Sequence, residues 1–498
     1  MTTSAETRWL TPKSPLTGEP AGTVRVTEPQ EVAAAVGRSR SAFVGWGAMS
    51  HSQRRPHLRA FAKLILKSMD RIAQVIVSET GKNLADAHAE LIGTLVSLDF
   101  YTRRAEKLLR PKKGSSWPFL LTRGWTEYHP IGVAGIISPW NYPFYLPTLS
   151  AIQALSAGCT VVIKPSELTP MCGQLIEDLA LEAGLPKDVV QVIHGYGDTG
   201  AALVDADTDI VAFTGSPSVG RSIAAQAAQT LKPVVLELGG KDAQIVLEDA
   251  DVKDAARAAI TFGVFNAGQQ CVGIERVYVV EDVYDDFIAE ATKAVGRINA
   301  ATGDNGDIGP FISPNQADVV ETQLQAAIAD GARLLAGGSK INTDHGVYFE
   351  PTLLDGVDHS MVLMQEETFG PVIPVMKVAD EEEAIELAND SPYGLHGSAW
   401  TKNKKRGHRV ASRMKTGTVA VNDHLINFLY PTIKFGGIGE SGLNGQLGEE
   451  GIKAFTIHRS ITSARLGPTT KLLSAWLPRR VGPRYWKTLA RVLFGWRR

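Results

Sequence analysis

The sequence predicts an α/β protein made of two doubly wound lobes, and three observations carry that expectation. From residue 130 onward, short apolar runs ended by Gly, Pro or Ser alternate with helix-like stretches. That texture belongs to parallel strands buried between two layers of helices. A second series of the same kind begins near Lys241. The chain has 498 residues, more than one ordinary core accommodates, so two or three domains are expected.

Taken in order, residues 30–110 read as long helices. Apolar residues recur at helical spacing over 32–46, over 55–77 (Leu58, Phe61, Leu64, Ile65, Ile72, Val75) and again over 86–108. Residues 125–129 alternate and predict a strand. Buried strands follow at 133–138, 160–164, 189–194, 210–214, 234–238 and 243–247, with helices at 146–157, 172–183 and 219–228. The second series holds a helix at 252–266, a strand at 276–280, a helix at 283–298 and further alternation to about Asn422. Gly-rich connections come next, and 455–464 alternates as a closing strand. In such folds ligands bind beyond the carboxyl ends of strands, where the strand order reverses.

Composition narrows the function. A net charge of −2 gives the whole molecule no electrostatic case for nucleic acid. Cys159, Cys172 and Cys271 cannot make a disulfide framework, and no Cys/His cluster has zinc spacing, so a cytosolic, metal-free chain is expected. The first seven residues do not read as a signal peptide, and no run of about 18 apolar residues suits a membrane span.

Cys271 ends the run Phe265-Asn266-Ala267-Gly268-Gln269-Gln270-Cys271. Such neighbours offer a thiol little apolar cover, which suits an exposed nucleophile better than a packed residue. Cys159 and Cys172 read as inert. Glu237 stands upstream in Leu236-Glu237-Leu238-Gly239-Gly240-Lys241. A thiol together with a carboxylate able to activate water can make and hydrolyse a thioester.

Six motifs in order carry a resemblance. They are Pro139-Trp140-Asn141-Tyr142-Pro143, Lys164-Pro165-Ser166-Glu167, Phe213-Thr214-Gly215-Ser216-Pro217-Ser218-Val219-Gly220, the Glu237 and Cys271 runs, and Glu366-Glu367-Thr368-Phe369-Gly370-Pro371. The chain resembles the aldehyde dehydrogenase superfamily from about Gly132 to Gly442. The resemblance implies a cofactor lobe from 1–117 and 131–239, a catalytic lobe from 240–440, and a bridging, oligomerising flap from 118–130 and 441–465. It implies that Cys271 attacks an aldehyde to give a thiohemiacetal and then an acyl thioester. Asn141 and the Cys271 N–H would hold the oxyanion, and Glu237 would activate the hydrolysing water. Family members that pass the acyl group to coenzyme A commonly lack this glutamate, so a free acid is the expected product.

The cofactor implied is NAD, with NADP also admissible. Gly215, Ser216 and Val219 open a helix suited to a pyrophosphate. By resemblance Lys164 and Glu167 reach the adenosine ribose, Glu367 holds the nicotinamide ribose, and Trp140 and Phe369 pack on the cofactor. A carboxylate at Glu167 repels a 2′-phosphate and favours NAD. The substrate channel implied is Tyr142, Tyr145, Leu146, Gln270, Phe428, Leu429 and Phe435, which suits a medium- or long-chain or aromatic aldehyde. A succinate-semialdehyde type, a coenzyme-A-acylating enzyme and a non-catalytic binding or structural relative stay open as alternatives. Lys434 departs from the family pattern, in which proline often precedes Phe-Gly-Gly. Gly195-Tyr196-Gly197-Asp198-Thr199-Gly200 matches G-x-G-x-x-G, yet a lone match is weak among 48 glycines. A homodimer or homotetramer is implied through the flap.

Residues 465–498 contain nine Lys or Arg, no Asp or Glu, and Trp476, Trp486 and Trp496. The stretch 484–496 can place apolar residues on one side and cations on the other. Such a helix suits a membrane surface, and the competing reading packs it on a neighbouring subunit. A cytoplasmic location with peripheral membrane contact fits both features.

Overall fold

The computed structural model describes residues 7–117, 122–299, 306–465 and 483–495. Two sheets dominate. The first runs in the order Val190–Val192, Thr160–Lys164, Val133–Ile137, Ile210–Thr214, Val234–Glu237, with Gly442–Leu443 added antiparallel at one edge. The other pairings are parallel. Strand order reverses between Val133–Ile137 and Ile210–Thr214, so the loops that leave these two strands border a ligand crevice. Helix Tyr145–Ala157 is buried at every residue, which explains its lack of a polar face. It packs among Leu58, Phe61, Leu91, Leu98 and Tyr101 of the N-terminal helices.

Those helices are Pro29–Ala48, His51–Lys67, Met69–Thr80 and Leu84–Leu108. The continuous helix expected over 55–77 is broken at Ser68 (φ −101°, ψ 14°), whose N–H closes the first helix on Leu64 and Ile65. Capping boxes at Glu28/Glu31 and Ser50/Gln53 start the first two.

The second sheet has seven strands in the order Arg333–Ala336, Thr352–Asp355, Val372–Val378, Ile274–Val280, Asp242–Val246, Gly397–Trp400, Ala420–Val421. Its first strand is antiparallel and the rest are parallel. Here the crevice rule needs correcting. The motifs singled out in this lobe precede their strands: Lys241 precedes Asp242, Cys271 precedes Ile274, and Phe369 precedes Val372. One lobe offers carboxyl ends to the cleft and the other offers amino ends.

A third, three-stranded sheet joins Lys112–Lys113, Thr122–Pro130 and Thr456–Ala464. Ile457 pairs with His129 and Ile461 with Trp125. Of the span 441–465 assigned to the flap, Gly442–Leu443 hydrogen-bonds instead to Leu236 and Glu237 in the first sheet. Lys112–Lys113, assigned to the cofactor lobe, pairs in the flap. A final helix spans Pro483–Phe494. No helix among the described residues is long and apolar enough to cross a membrane.

Candidate active site

The loops at the switch point meet the amino ends of the second sheet around a cavity of about 320 Å³. Nine residues singled out from sequence line it: Trp140, Asn141, Leu146, Gly215, Ser216, Glu237, Cys271, Glu367 and Phe369. Leu238, Gly239, Gln316 and Val319 complete much of the wall. Sequence reading passed over Gln316 and Val319, which sit on helix Pro314–Ala329 with nothing in their spacing to mark them.

Cys271 reaches this cavity because helix Val252–Val264 stops two residues earlier than periodicity predicts. Asn266 and Ala267 adopt left-handed conformations (φ 55° and 56°), followed by Gly268 at 71°. Non-glycine residues hold that geometry only when neighbours enforce it. Asn266 Nδ2 donates to Asn141 O and Gln269 O, each at 3.1 Å, and Gln269 Oε1 accepts the Ile312 N–H at 3.0 Å. The polar side chains around the thiol are therefore buried by hydrogen bonding. Cys271 is half-buried, less open than its flanking residues suggest. Burial pushes its thiol up, and the nearby Asp242, Glu367 and Glu237 push it further. The other thiols are fully enclosed. Cys159 donates to Phe455 O at 3.2 Å and is pushed up to about 11 by burial, and Cys172 is raised by burial and by Glu79.

Glu237 ends its strand buried, with no hydrogen bond to either carboxylate oxygen among the described residues. Burial raises it well above the usual carboxylate range, and the Lys434 charge opposes that rise. It does not pair with Lys241. Lys241 is buried against Glu275 Oε2 (2.7 Å) and Thr368 Oγ1 (2.9 Å). Glu275 in turn accepts the N–H groups of Thr368 and Phe369, each at 2.8 Å. This pair fixes the turn in which Phe369 sits at φ 51° and meets Trp140 edge to face, centroids 5.6 Å apart. Glu367 Oε1 accepts the Gly240 N–H at 3.0 Å and is pushed up to about 8, by burial first and Glu275 second. Gly239 leaves room for Glu367: a Cβ there would lie 2.3 Å from Glu367 Oε2 and would displace that carboxylate. Glu275 lies just before the strand expected at 276–280, in a structural strand whose seven residues are all buried.

Asn141 is buried, and its Nδ2 donates to Gln269 O at 3.1 Å, beside the segment that carries Cys271. Its loop is held from below. Lys82 Nζ donates to Asn141 O at 2.8 Å, and Glu90 Oε1 accepts from Phe144 N and Tyr145 N. Neither Lys82 nor Glu90 was singled out from sequence, because a Lys at a helix end reads as surface.

Ser216 caps helix Pro217–Ala228 and accepts from Val219 N at 3.5 Å. Lys164 is buried at its strand end, 3.4 Å from Glu167 Oε2, and together with burial it pushes His194 down to about 4. Lys164, Glu167 and Val219 do not line the cavity itself. Ser216 at the helix start and Glu367, both in the cavity lining, offer main-chain N–H, hydroxyl and carboxylate groups that fit a dinucleotide's phosphate and ribose. The G-x-G-x-x-G run instead starts helix Gly197–Asp205 and lies outside the cavity.

Tyr142, Tyr145, Gln270 and Phe435, expected to wall the substrate channel, are buried outside the cavity lining, and Leu429 is exposed outside it. Tyr142 Oη donates to Gln270 Oε1 at 3.5 Å. Tyr145 meets Phe428 at 5.2 Å and Phe428 meets Phe435 at 5.0 Å, both edge to face. Leu429 packs on Gly93, where a Cβ would approach within 3.3 Å. In contrast to the buried aromatic layer of Tyr145, Phe428 and Phe435, Ile92, Val96, Leu429, Tyr430 and Ile433 are exposed.

The aldehyde dehydrogenase family model matches residues 2–461. A Methylomonas protein named 4,4'-diapolycopene aldehyde oxidase is 39% identical over 446 residues, 89% of this chain and 83% of that protein. A Mycolicibacterium smegmatis protein assigned, by name, as a succinate-semialdehyde dehydrogenase (NADP+) is 37% identical over 454 residues, 90% of this chain and 88% of its own length. Among solved structures, Mycobacterium tuberculosis aldehyde dehydrogenase complexed with NAD+ matches with TM-score 0.88 at 34% identity, covering 94% of this chain and 96% of that one. With its cleft placed as above and the family model matched across nearly its whole length, the chain belongs to the aldehyde dehydrogenase family and is an enzyme of NAD or NADP.

Proposed function

We propose that the protein oxidises an apolar aldehyde to the free carboxylic acid, with NAD preferred to NADP. The observation that supports this reading most is the convergence of Cys271, Glu237 and Asn141 on the cavity that also holds Ser216 and Glu367. In the first half-reaction the Cys271 sulfur, having lost its proton, bonds to the aldehyde carbon. The carbonyl oxygen becomes an alkoxide beside Asn141 Nδ2–H and the Cys271 N–H. Such donors are worth about 3–4 kcal/mol each to the barrier. NAD, when bound, accepts the hydride that leaves this carbon. The acyl thioester left on Cys271 is then attacked by water. Glu237 takes the water proton, the C–S bond breaks, and the sulfur recovers a proton as the acid departs. The unpartnered carboxylate of Glu237 suits a group whose task is to bind water.

An apolar substrate is supported by Leu146, Leu238, Val319 and Phe369 in the cavity lining. The name of the Methylomonas relative agrees with it. The mycobacterial names favour a second reading, succinate semialdehyde. Against that stands a cavity lining without Lys or Arg among the described residues. A panel of aldehydes graded by chain length, with succinate semialdehyde included, tests the choice. Rising kcat/KM with chain length is expected, and a clear preference for succinate semialdehyde overturns it.

The final helix supports a lipid-surface location. Lys487, Arg491, Val492 and Phe494 are all exposed on it. Trp476 and Trp496 lie outside the described residues, as does the side chain of Trp486. Dimers or tetramers are proposed through the free edge of Thr456–Ala464, which alternation alone leaves unpaired on one side.

A further inference from the structure

Lys434 lies on the short strand Lys434–Phe435, where Phe435 turns into the aromatic layer and Lys434 is exposed. Two glycines connect it to Glu237. A Cβ at Gly436 would lie 2.5 Å from Gly445 Cα and 3.0 Å from Glu237 Oε1. A Cβ at Gly445 would lie 2.7 Å from Lys434 Cε. The lysine stem, the Asn444–Gly445 turn (φ 75° and 88°) and the Glu237 carboxylate are thus stacked with no side chain between them.

We propose that Lys434 is a positioning residue for Glu237: lying across the Asn444–Gly445 turn, its ammonium favours the ionised, base-competent carboxylate and so controls the deacylation half of the reaction. The proposal rests on the reading that Glu237 activates the deacylating water. Its physical basis is an opposite charge near a buried acid, which stabilises the charged form against desolvation. The groups that bear on Glu237 are few. Lys434 comes from its own strand, the Gln446 main-chain N–H, which also favours the charged form, from the paired strand Gln446–Leu447, and Cys271 from the segment before Ile274–Val280, whereas Asp242 and Glu367 bear on Cys271. The flanking strands Ile210–Thr214 and Gly442–Leu443 carry no titratable side chain. Lys434 is therefore the cation through which this site is tuned, and its exposure makes the tuning sensitive to salt.

The test follows the acyl-enzyme directly. Full-length protein is acetylated with 4-nitrophenyl acetate, and loss of the Cys271 adduct is followed by peptide mass spectrometry across pH in wild type, Lys434→Gln, Lys434→Arg and Glu237→Gln. For Lys434→Gln the midpoint of the deacylation profile should move up by about one unit, a loss of about tenfold in rate below the midpoint. Acylation should be unchanged, and Lys434→Arg should restore the wild-type midpoint. Added salt should move the wild-type midpoint up and leave that of Lys434→Gln in place. A Lys434→Gln profile identical to wild type overturns the proposal while Glu237→Gln remains slow. A fast Glu237→Gln overturns the underlying reading instead.

Discussion

The Lys82 ammonium donates to the Glu90 carboxylate at 2.9 Å, with both side chains buried. The same ammonium holds Asn141 O, and the same carboxylate holds the N–H groups of Phe144 and Tyr145. The pair thus fixes the loop that carries Asn141, the proposed oxyanion donor. Lys82→Met leaves the Glu90 charge buried without its partner, which costs about 3–5 kcal/mol. A lowered melting temperature is expected, together with reduced kcat at unchanged affinity for NAD. The double variant Lys82→Met/Glu90→Gln should recover part of the stability. Equal melting temperatures in all three proteins would show that the pair holds nothing.

The three cysteines should separate cleanly. Cys271→Ala should abolish NADH formation and leave NAD binding nearly intact, because the thiol makes the covalent bond to substrate. Cys159→Ala and Cys172→Ala should keep most activity at some cost in stability, since both are fully buried. Aldehyde oxidation by Cys271→Ala at near wild-type rate would remove the thioester route.

Most of the architecture was legible because parallel strands buried on both faces leave short apolar runs bounded by Gly, Pro or Ser, which their length separates from helices. The cavity lining was legible for another reason: Cys271, Glu237 and Asn141, which share it, stand in short motifs of distinctive residue types. What stayed hidden depends on contacts between distant segments. Ser68 breaks a helix without disturbing its apolar spacing. Gly442–Leu443 leaves the flap for the first sheet because of pairing to Leu236 and Glu237, which no local pattern announces. Lys82, Glu90, Lys241 and Glu275 are charged residues that become interior once four separate segments meet. Cys271 is more enclosed than its neighbours imply, since Asn266, Gln269 and Gln270 are buried through hydrogen bonds to main chain.

Glu237→Gln should uncouple the half-reactions. Acylation needs the sulfur and the oxyanion donors, while deacylation needs an activated water. Rapid mixing should show a stoichiometric NADH burst followed by slow turnover. In wild type, burial holds the acid form of Glu237 at pH values where a free glutamate is ionised. The base-competent fraction therefore grows as pH rises, and turnover should still be climbing at pH values where a free glutamate is already fully ionised. A full steady-state rate in Glu237→Gln would exclude the water-activating role.

Glu167 should set cofactor choice. Its side chain is 41% exposed and lies 3.4 Å from Lys164 Nζ. Replacement by Ser removes a negative charge near the ribose and frees Lys164 for a 2′-phosphate. The NADP-to-NAD ratio of kcat/KM should rise, by about tenfold or less because solvent screens a group this exposed. The Mycolicibacterium smegmatis relative named for NADP+ makes the comparison direct. An unchanged ratio would show that Glu167 does not face the ribose.

The tail should bind anionic membranes reversibly. Residues 465–498 carry nine cations and no carboxylate, and Lys487, Arg491, Val492 and Phe494 are exposed on helix Pro483–Phe494. Each cation near an anionic surface adds about 1 kcal/mol, and the attraction falls off with salt. Vesicles with and without acidic lipid, sedimented with full-length protein and with a chain ending at Leu466, separate the outcomes. Full-length protein should sediment with acidic vesicles at low salt and be released as salt rises, and the truncated chain should stay in solution. Long-chain aldehydes partition to the same surface, so truncation should lower kcat/KM for them in the presence of vesicles and leave short-chain aldehydes unaffected. If both chains sediment alike, or neither does, the helix packs on a neighbouring subunit instead. Light scattering of the truncated chain would then show a smaller assembly.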